Sequence, residues 1–467
     1  MSDPNGEWLD GDELAEQARR LYEDGRFADA EAALRRALTQ NPDRPDWHFN
    51  LGRILEDCDR AAEARACYLR CHQLDPGAPE PLLAAAGTHE VEGEHLAAVK
   101  LIDQALSLDR ASDEAYARKI RALVRAGRGE DARDAFYVAQ EFVETPTHAM
   151  VAMAGGLERE GDLARAAWCY REALRHQPEF TELRTAYARC LARQGEHPKA
   201  LQNFMHVLRE QPGDIGALIG CAQVLARLGR EAEAIEKLNR VVELEPANAD
   251  AHQMLGVLST HASRHERAGV EFELVLKLDP TRNHVRVDLA ESLMRRGRAD
   301  DARETIKAFL ANGLPERPGS DDASDEAPRT DRDRALATEQ YRVTLARAAA
   351  LLSATKLWAE AARVLDLLIE AAPGDAAVWR ALARARYESG DVDGGRIASM
   401  HVLGIDATCA ISHHNLGLSA LRAGRLDDAA NWVTRGLKAN RTDEGLRRLR
   451  TRVWMARVAR ALRLGRN

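Results

Sequence analysis

The chain has 467 residues and a net charge of −8 from 66 basic and 74 acidic side chains, so its bulk charge does not call for a nucleic-acid partner. Aromatic residues make up only 5% of a chain that is 45% hydrophobic, a balance that suits helices packed at close range through alanine and leucine. Only eight of the basic residues are lysine, a bias that points to an arginine- and alanine-coding, GC-rich bacterial genome.

Residues 1–10 form a short polar lead. With the residues that follow, MSDPNGEWLDGDELAEQ, they are acidic and lack the basic flank and apolar run of a secretory signal. No apolar run approaches the roughly 20 residues of a membrane-spanning helix. Cys58, Cys67, Cys71, Cys169, Cys190, Cys221 and Cys409 are odd in number and show no framework spacing, so they read as reduced core thiols. The expected location is the cytoplasm.

From residue 11 a 34-residue spacing takes over. Ala30, Ala64, Ala98, Ala132, Ala166, Ala200, Ala234, Ala268 and Ala302 form one column. Four residues on, Leu34, Tyr68, Ile102, Phe136, Tyr170, Phe204, Leu238, Phe272 and Ile306 form a bulky column on the same helix face. A glycine marks the turn before most second helices, at Gly25, Gly93, Gly127, Gly161, Gly195, Gly229 and Gly297. Proline closes many units, at Pro42, Pro76, Pro178, Pro212, Pro246 and Pro280, where a ring without an N–H stops the helix. Each unit therefore reads helix, tight turn, helix, stop.

This pattern resembles the tetratricopeptide repeat family, in which a small residue also lies midway through the first helix. Gly52, Ala86, Ala154, Ala188, Ala222, Gly256, Ala290, Ala349, Ala383 and Gly417 fill that position, Ile120 departs from it, and Trp47 and Trp379 stand at or near the opening aromatic. The resemblance implies an all-α fold. It would be an α-solenoid, a right-handed superhelix of about twelve helix-turn-helix repeats whose core is buried between neighbours.

Nine repeats are expected over 11–316. The fourth replaces its closing proline with Glu144, and the eighth has Ser263 in place of the turn glycine. Residues 317–334 lie in a stretch rich in Pro, Asp, Ser and Arg and read as an acidic flexible linker. That linker is either a plain insertion or a hinge regulated at Ser320 or Ser324. Three further repeats are expected over 335–443, with Ala361, Gly395 and Ala429 in the alanine column and an extended first helix. Residues 444–467 carry eight arginines against one glutamate and read as a basic capping helix.

The resemblance also implies where a ligand would lie. In the family, first helices line a concave groove and meet the ligand through positions five, nine, twelve and thirteen. Position thirteen reads Arg125, Arg159, Arg193, Arg227, His261 and Arg295 in six consecutive repeats, and position nine adds Arg19, Arg53, Arg121 and Arg189. Guanidinium groups in this pattern suit an acidic peptide or acidic protein surface. The bland alternative is a cation answering the negative end of each helix dipole. Arg380, Arg384 and Asn415 form a weaker second site, part of the carboxylate clamp found in a subset of the family, but Gly445 and Leu449 stand where its further cations belong.

No catalytic or phosphate-binding motif occurs, and no cofactor is expected. Cys67, Cys71 and His72 are close in sequence but lack a second pair at zinc spacing. Nucleic acid is not favoured, because the groove positions offer few aromatics for stacking. The expected function is a non-catalytic scaffold or adaptor that binds protein partners. The alternatives are an assembly factor held at a membrane surface through 444–464, or the non-catalytic subunit of a transferase. Self-association end to end remains open.

Overall fold

A computed structural model describes residues 10–314 and 331–464, with only the backbone described at 331–334 and 463–464. Among the described residues the chain is entirely helical, with twelve helix pairs between Gly11 and Ala439 followed by one final helix, α25 (Glu444–Leu464). None of the helices searched is long and apolar enough to cross a membrane. The chain divides into two compact units, Met1–Arg230 and Glu231–Asn467.

Local chemistry sets the helix ends. Asp10, Ser112, Asp162, Asp214, Asn248, Asp375 and Asp391 each cap a helix by accepting a backbone N–H from its first turn. The turn inside most pairs needs one residue in the left-handed region, and Gly25, Gly93, Gly127, Gly161, Gly195, Gly229, Gly297, Gly390 and Gly424 supply it at φ between 73° and 92°. Asp59, Ser263 and Lys356 adopt the same conformation with a side chain, at φ 58°, 57° and 61°. Only the Ser263 exception was legible in advance.

The two columns are the core of each pair. All nine alanines from Ala30 to Ala302 are 0% exposed, as are Ala361 and Ala429, so a larger side chain there would meet neighbours on every side. The bulky column is buried beside them. Two of its aromatics lie against the small position of the first helix: a Cβ added at Gly52 would fall 2.5 Å from the Tyr68 ring, and one at Gly256 would fall 2.5 Å from the Phe272 ring. The Tyr68 hydroxyl is satisfied by donating to Glu56 at 2.7 Å. Ile120 is fully buried in α7 (Asp113–Arg125). This helix packs directly on α9 (Thr147–Glu160), whose Gly156 leaves room for Val124.

A further device recurs in six of the repeats and at the start of the final helix. The fourth residue donates to the carbonyl six residues back, which lies in the turn two residues beyond the end of the preceding helix. His48 Nε2 reaches Pro42 O at 2.8 Å, Arg184 reaches Pro178 O at 2.5 Å, and His252 Nε2 reaches Pro246 O at 3.1 Å. Arg286, Trp379, His413 and Arg447 repeat the bond to the carbonyls of Pro280, Pro373, Ala407 and Arg441. Where the bond is made, its donor changes among imidazole, guanidinium and indole, whereas Leu14, Leu82, Met150, Leu218 and Leu345 hold the same position without one. Trp379 therefore opens its repeat as a hydrogen-bonded latch as well as an aromatic.

In the second unit, packing runs on either side of residues 315–330. α19 (Asp331–Ala354) is 24 residues long and takes 331–334, expected as the end of the linker, into its first turn. Its Tyr341, Leu345 and Leu352 share a core with Val285 and Leu293 of α17 (Val285–Arg295) and with Phe309 of α18 (Ala299–Ala311). Arg347 fastens α19 to α17 through Asp288 at 2.7 Å and Glu291 at 2.7 Å. Residues 317–330, with Ser320 and Ser324, lie outside the described residues. At the end of the chain, α25 buries Leu446, Leu449 and Val453, whereas Trp454 is 64% exposed.

Candidate functional site

In the first unit the arginine ladder stands at the C-terminal ends of first helices. Arg125 closes α7, Arg159 lies in the last turn of α9, Arg193 in that of α11 (Thr181–Gln194), and Arg227 closes α13 (Ile215–Arg227). Each arginine therefore stands at the negative end of a helix dipole, which favours a cation there. Arg125, Arg193 and Arg227 are exposed and Arg159 is half-buried. Arg193 has Glu158 at 3.8 Å, a long and solvated contact worth little. Arg125 and Arg227 have no carboxylate partner among the described residues.

The position-nine arginines differ from one another. Arg19 is held between Glu16 at 2.7 Å and Glu23 at 2.5 Å, and Glu16 is held down at about 2 by these arginine contacts, Arg19 first. Arg53 lies 5.3 Å above the Tyr22 ring and donates to the Tyr22 hydroxyl at 3.3 Å, while that hydroxyl donates to Asp57 at 2.5 Å. Glu23 and Asp57 occupy position thirteen of the first two repeats, where the ladder has not yet begun. Arg19 and Arg53 thus sit in a compensated network beside a 350 Å³ pocket that also takes in Tyr22 and Asn50. Arg121 pairs with Glu114 at 3.0 Å, whereas Arg189 is exposed. The exposed groove arginines of the first unit without a carboxylate partner among the described residues are therefore Arg125, Arg189 and Arg227, in the fourth, sixth and seventh repeats. The missed signal was the acid at position thirteen of repeats one and two.

In the second unit, His261 closes α15 (Ala249–His261) with Glu231 at 3.7 Å, and Arg295 closes α17 and is exposed. Arg384 lies 5.3 Å over Trp358, Arg380 is exposed, and Asn415 is half-buried. Leu449 is buried against Gly417, so the third arm of a carboxylate clamp is filled by core packing.

Cys67, Cys71 and His72 do not converge with a further ligand. The one grouping with metal-ligating atoms in mutual reach, among the described residues, is His89, Glu92 and Glu94. Arg65 already supplies a cation there, 2.6 Å from Glu92 and 3.4 Å from His89 Nδ1. All seven cysteines are free, and burial pushes the Cys169 thiol up to about 11 and Cys190 up to about 12, which makes both poor nucleophiles.

A family profile described as "Tetratricopeptide repeat" matches residues 16–79 and 152–215, and a second profile of that description matches 193–258. No curated protein matches the chain significantly. Among solved structures, yeast Tom70 is 16% identical over 97% of this chain and 96% of its own, with a TM-score of 0.37. A tetratricopeptide repeat protein from Parabacteroides merdae is 17% identical over 61% of this chain and 98% of its own, with a TM-score of 0.36. MamA from Desulfovibrio magneticus is 22% identical over 36% of this chain and 94% of its own, with a TM-score of 0.34.

Proposed function

From the premise that this chain belongs to the tetratricopeptide-repeat family, whose repeats serve as protein-interaction scaffolds, we propose a non-catalytic adaptor that binds an acidic partner on the first-helix face of its first unit. The observation that carries this reading is the row Arg125, Arg159, Arg193 and Arg227, presented once per repeat, with Arg125 and Arg227 free of carboxylates among the described residues. Arginine at regular intervals matches an extended acidic segment, because each guanidinium can bind a carboxylate in two-pronged fashion. Arg189 adds to the same charge. We infer a cytoplasmic address, where free cysteines stay reduced.

The test is titration of a fluorescent acidic peptide into the full chain and into a variant carrying Arg125→Glu, Arg159→Glu, Arg193→Glu and Arg227→Glu. Affinity should fall at least tenfold in the variant, and the salt dependence seen with the parent should weaken with it. Equal affinity for both proteins would overturn the reading.

A second reading, tethering to an anionic membrane surface through 444–464, draws support from α25. Trp454, Val458 and Leu462 recur at four-residue spacing, and with Met455 they form an exposed apolar stripe on an arginine-rich helix. Truncation at Thr442 should then abolish flotation with vesicles rich in anionic lipid. Flotation by the truncated chain would remove this reading.

A further inference from the structure

The second unit contains a cleft that the arginine ladder does not touch. It measures about 570 Å³ and is formed chiefly by two second helices, α22 (Val392–Ile405) and α24 (Leu426–Ala439), with α23 (Ala410–Arg422) behind them. Met400, Leu403 and Trp432 give it an apolar lining, and Gly404 and Ala407 keep it open. Arg435 and Lys438 stand at its mouth. Both are exposed, neither has a carboxylate partner among the described residues, and no lining residue is acidic.

The second feature is a buried polar atom with nothing to bond. His413 is 5% exposed and lines the cleft. Its Nε2 lies 3.1 Å from the Ala407 carbonyl, so that nitrogen carries the proton. Nδ1 of the neutral ring is then an acceptor, and it is buried without a partner. An unmet buried acceptor is costly unless something arrives to satisfy it.

The eighth repeat shows what a closed version looks like. His252 occupies the position of His413 and makes the same bond to Pro246, but its Nδ1 meets Glu271 at 2.7 Å. Thirty-four-residue register places Trp432 where Glu271 stands, since each lies 19 residues after its histidine. In the twelfth repeat the carboxylate partner has been exchanged for an indole whose ring centre is 6.0 Å from the imidazole and 5.4 Å below Arg435. The exchange removes the internal partner of the histidine and supplies an aromatic wall beside two cations that lack carboxylate partners among the described residues.

We propose that this cleft is a second binding site, and that its occupant is an acidic peptide segment bearing a tyrosine. The ring lies on the Trp432 and Met400 lining and moves that lining enough to uncover His413 Nδ1, which has no accessible surface in the empty cleft; its hydroxyl then donates to that nitrogen, and flanking carboxylates pair with Arg435 and Lys438. A phenylalanine would fill the apolar lining but leave Nδ1 unmet. A basic peptide would face two cations. The site is independent of the first-helix ladder and stands or falls separately from it.

The experiment is calorimetric titration of the full chain with an acetylated acidic pentapeptide carrying a central tyrosine, alongside its phenylalanine and lysine-rich counterparts. The tyrosine peptide should bind about tenfold more tightly than the phenylalanine one, the scale of one hydrogen bond to a buried acceptor. The lysine-rich peptide should not bind. Trp432→Glu rebuilds the closed His–Glu pair of the eighth repeat and should abolish binding with an unchanged circular dichroism spectrum. Should that variant fail to fold, Arg435→Gln with Lys438→Gln, both on the surface, should still weaken binding at least tenfold. The four-fold Arg→Glu variant of the first unit should bind as the parent does. Equal binding of tyrosine and phenylalanine peptides, or loss of binding in the ladder variant alone, would overturn the proposal. So would a shift from dimer to monomer in Trp432→Glu by sedimentation, which would give the cleft to a second copy of the chain.

Discussion

Gly256→Ala isolates the contact on which each repeat closes. A methyl there would lie 2.5, 2.7 and 2.9 Å from three carbons of the Phe272 ring, all inside the distance that real Cβ atoms keep. Phe272 is 1% exposed and shares its core with residues on every side, so the ring cannot simply swing away. Overpacking of this kind costs about 1–3 kcal/mol. Alanine returns about 1 kcal/mol in helix propensity, leaving a net loss of roughly 1 kcal/mol. The ninth repeat indicates the remedy, because Ala290 there is paired with Ile306 and both are fully buried. Phe272→Ile alone should also destabilise, by about 1 kcal/mol through the lost ring volume. The double variant should sit close to the parent, with a favourable coupling of about 1–2 kcal/mol. A long repeat array need not unfold in one step, so the assay is hydrogen exchange read on peptides from α15 and from α16 (His265–Leu278). Protection lost in each single variant should return in the double. If the double loses the sum of the two singles, the small residue and the ring are not a matched pair.

Three further outcomes follow from the same structure. Ser263 holds φ 57° in a turn that glycine occupies in most repeats, so Ser263→Gly should slow exchange in the flanking helices by a factor equivalent to about 1 kcal/mol. Trp379→Phe keeps a ring to stack on His401 but deletes the donor to Pro373, and should cost about 1 kcal/mol in the same assay. Burial pushes Asp288 above its ordinary value of 3.8, despite the nearby Arg347. The folded protein therefore holds this proton more tightly than the unfolded chain. The stability it contributes is fully present below 3.8 and is lost as pH rises through the raised value. Chemical denaturation of the parent and Asp288→Asn across this window should show the parent losing ground steadily with pH. A pH-independent difference would contradict the assignment.

Much of the fold was written in the spacing. An alanine with no exposed surface tolerates no other size, so the column through Ala166 announces itself, and the bulky column follows from the same geometry. The latch at the fourth position was harder to see because histidine, arginine and tryptophan all perform it. What recurs at 48, 184, 252, 286, 379, 413 and 447 is a donor, a property that residue identity hides. Asp59 and Lys356 were missed for a related reason: the turn demands a backbone conformation, and a side chain can be forced into it. The charge of the ladder could be read from position thirteen, but its compensation could not. Whether Arg19 is available depends on Glu16 and Glu23 one turn away, and Arg53 is engaged by Tyr22 from the preceding repeat. The cleft beside Trp432 was invisible until His413 and His252 could be compared as equivalent positions with different partners.

The most direct test of the adaptor reading is affinity capture from the native lysate, comparing the parent with the variant carrying glutamate at 125, 159, 193 and 227. The account predicts that a discrete acidic partner co-purifies with the parent, elutes early as salt is raised, and is absent from the variant. Recovery of the same partners by both proteins, with the same salt profile, would contradict it and leave the ladder as a set of helix-end cations.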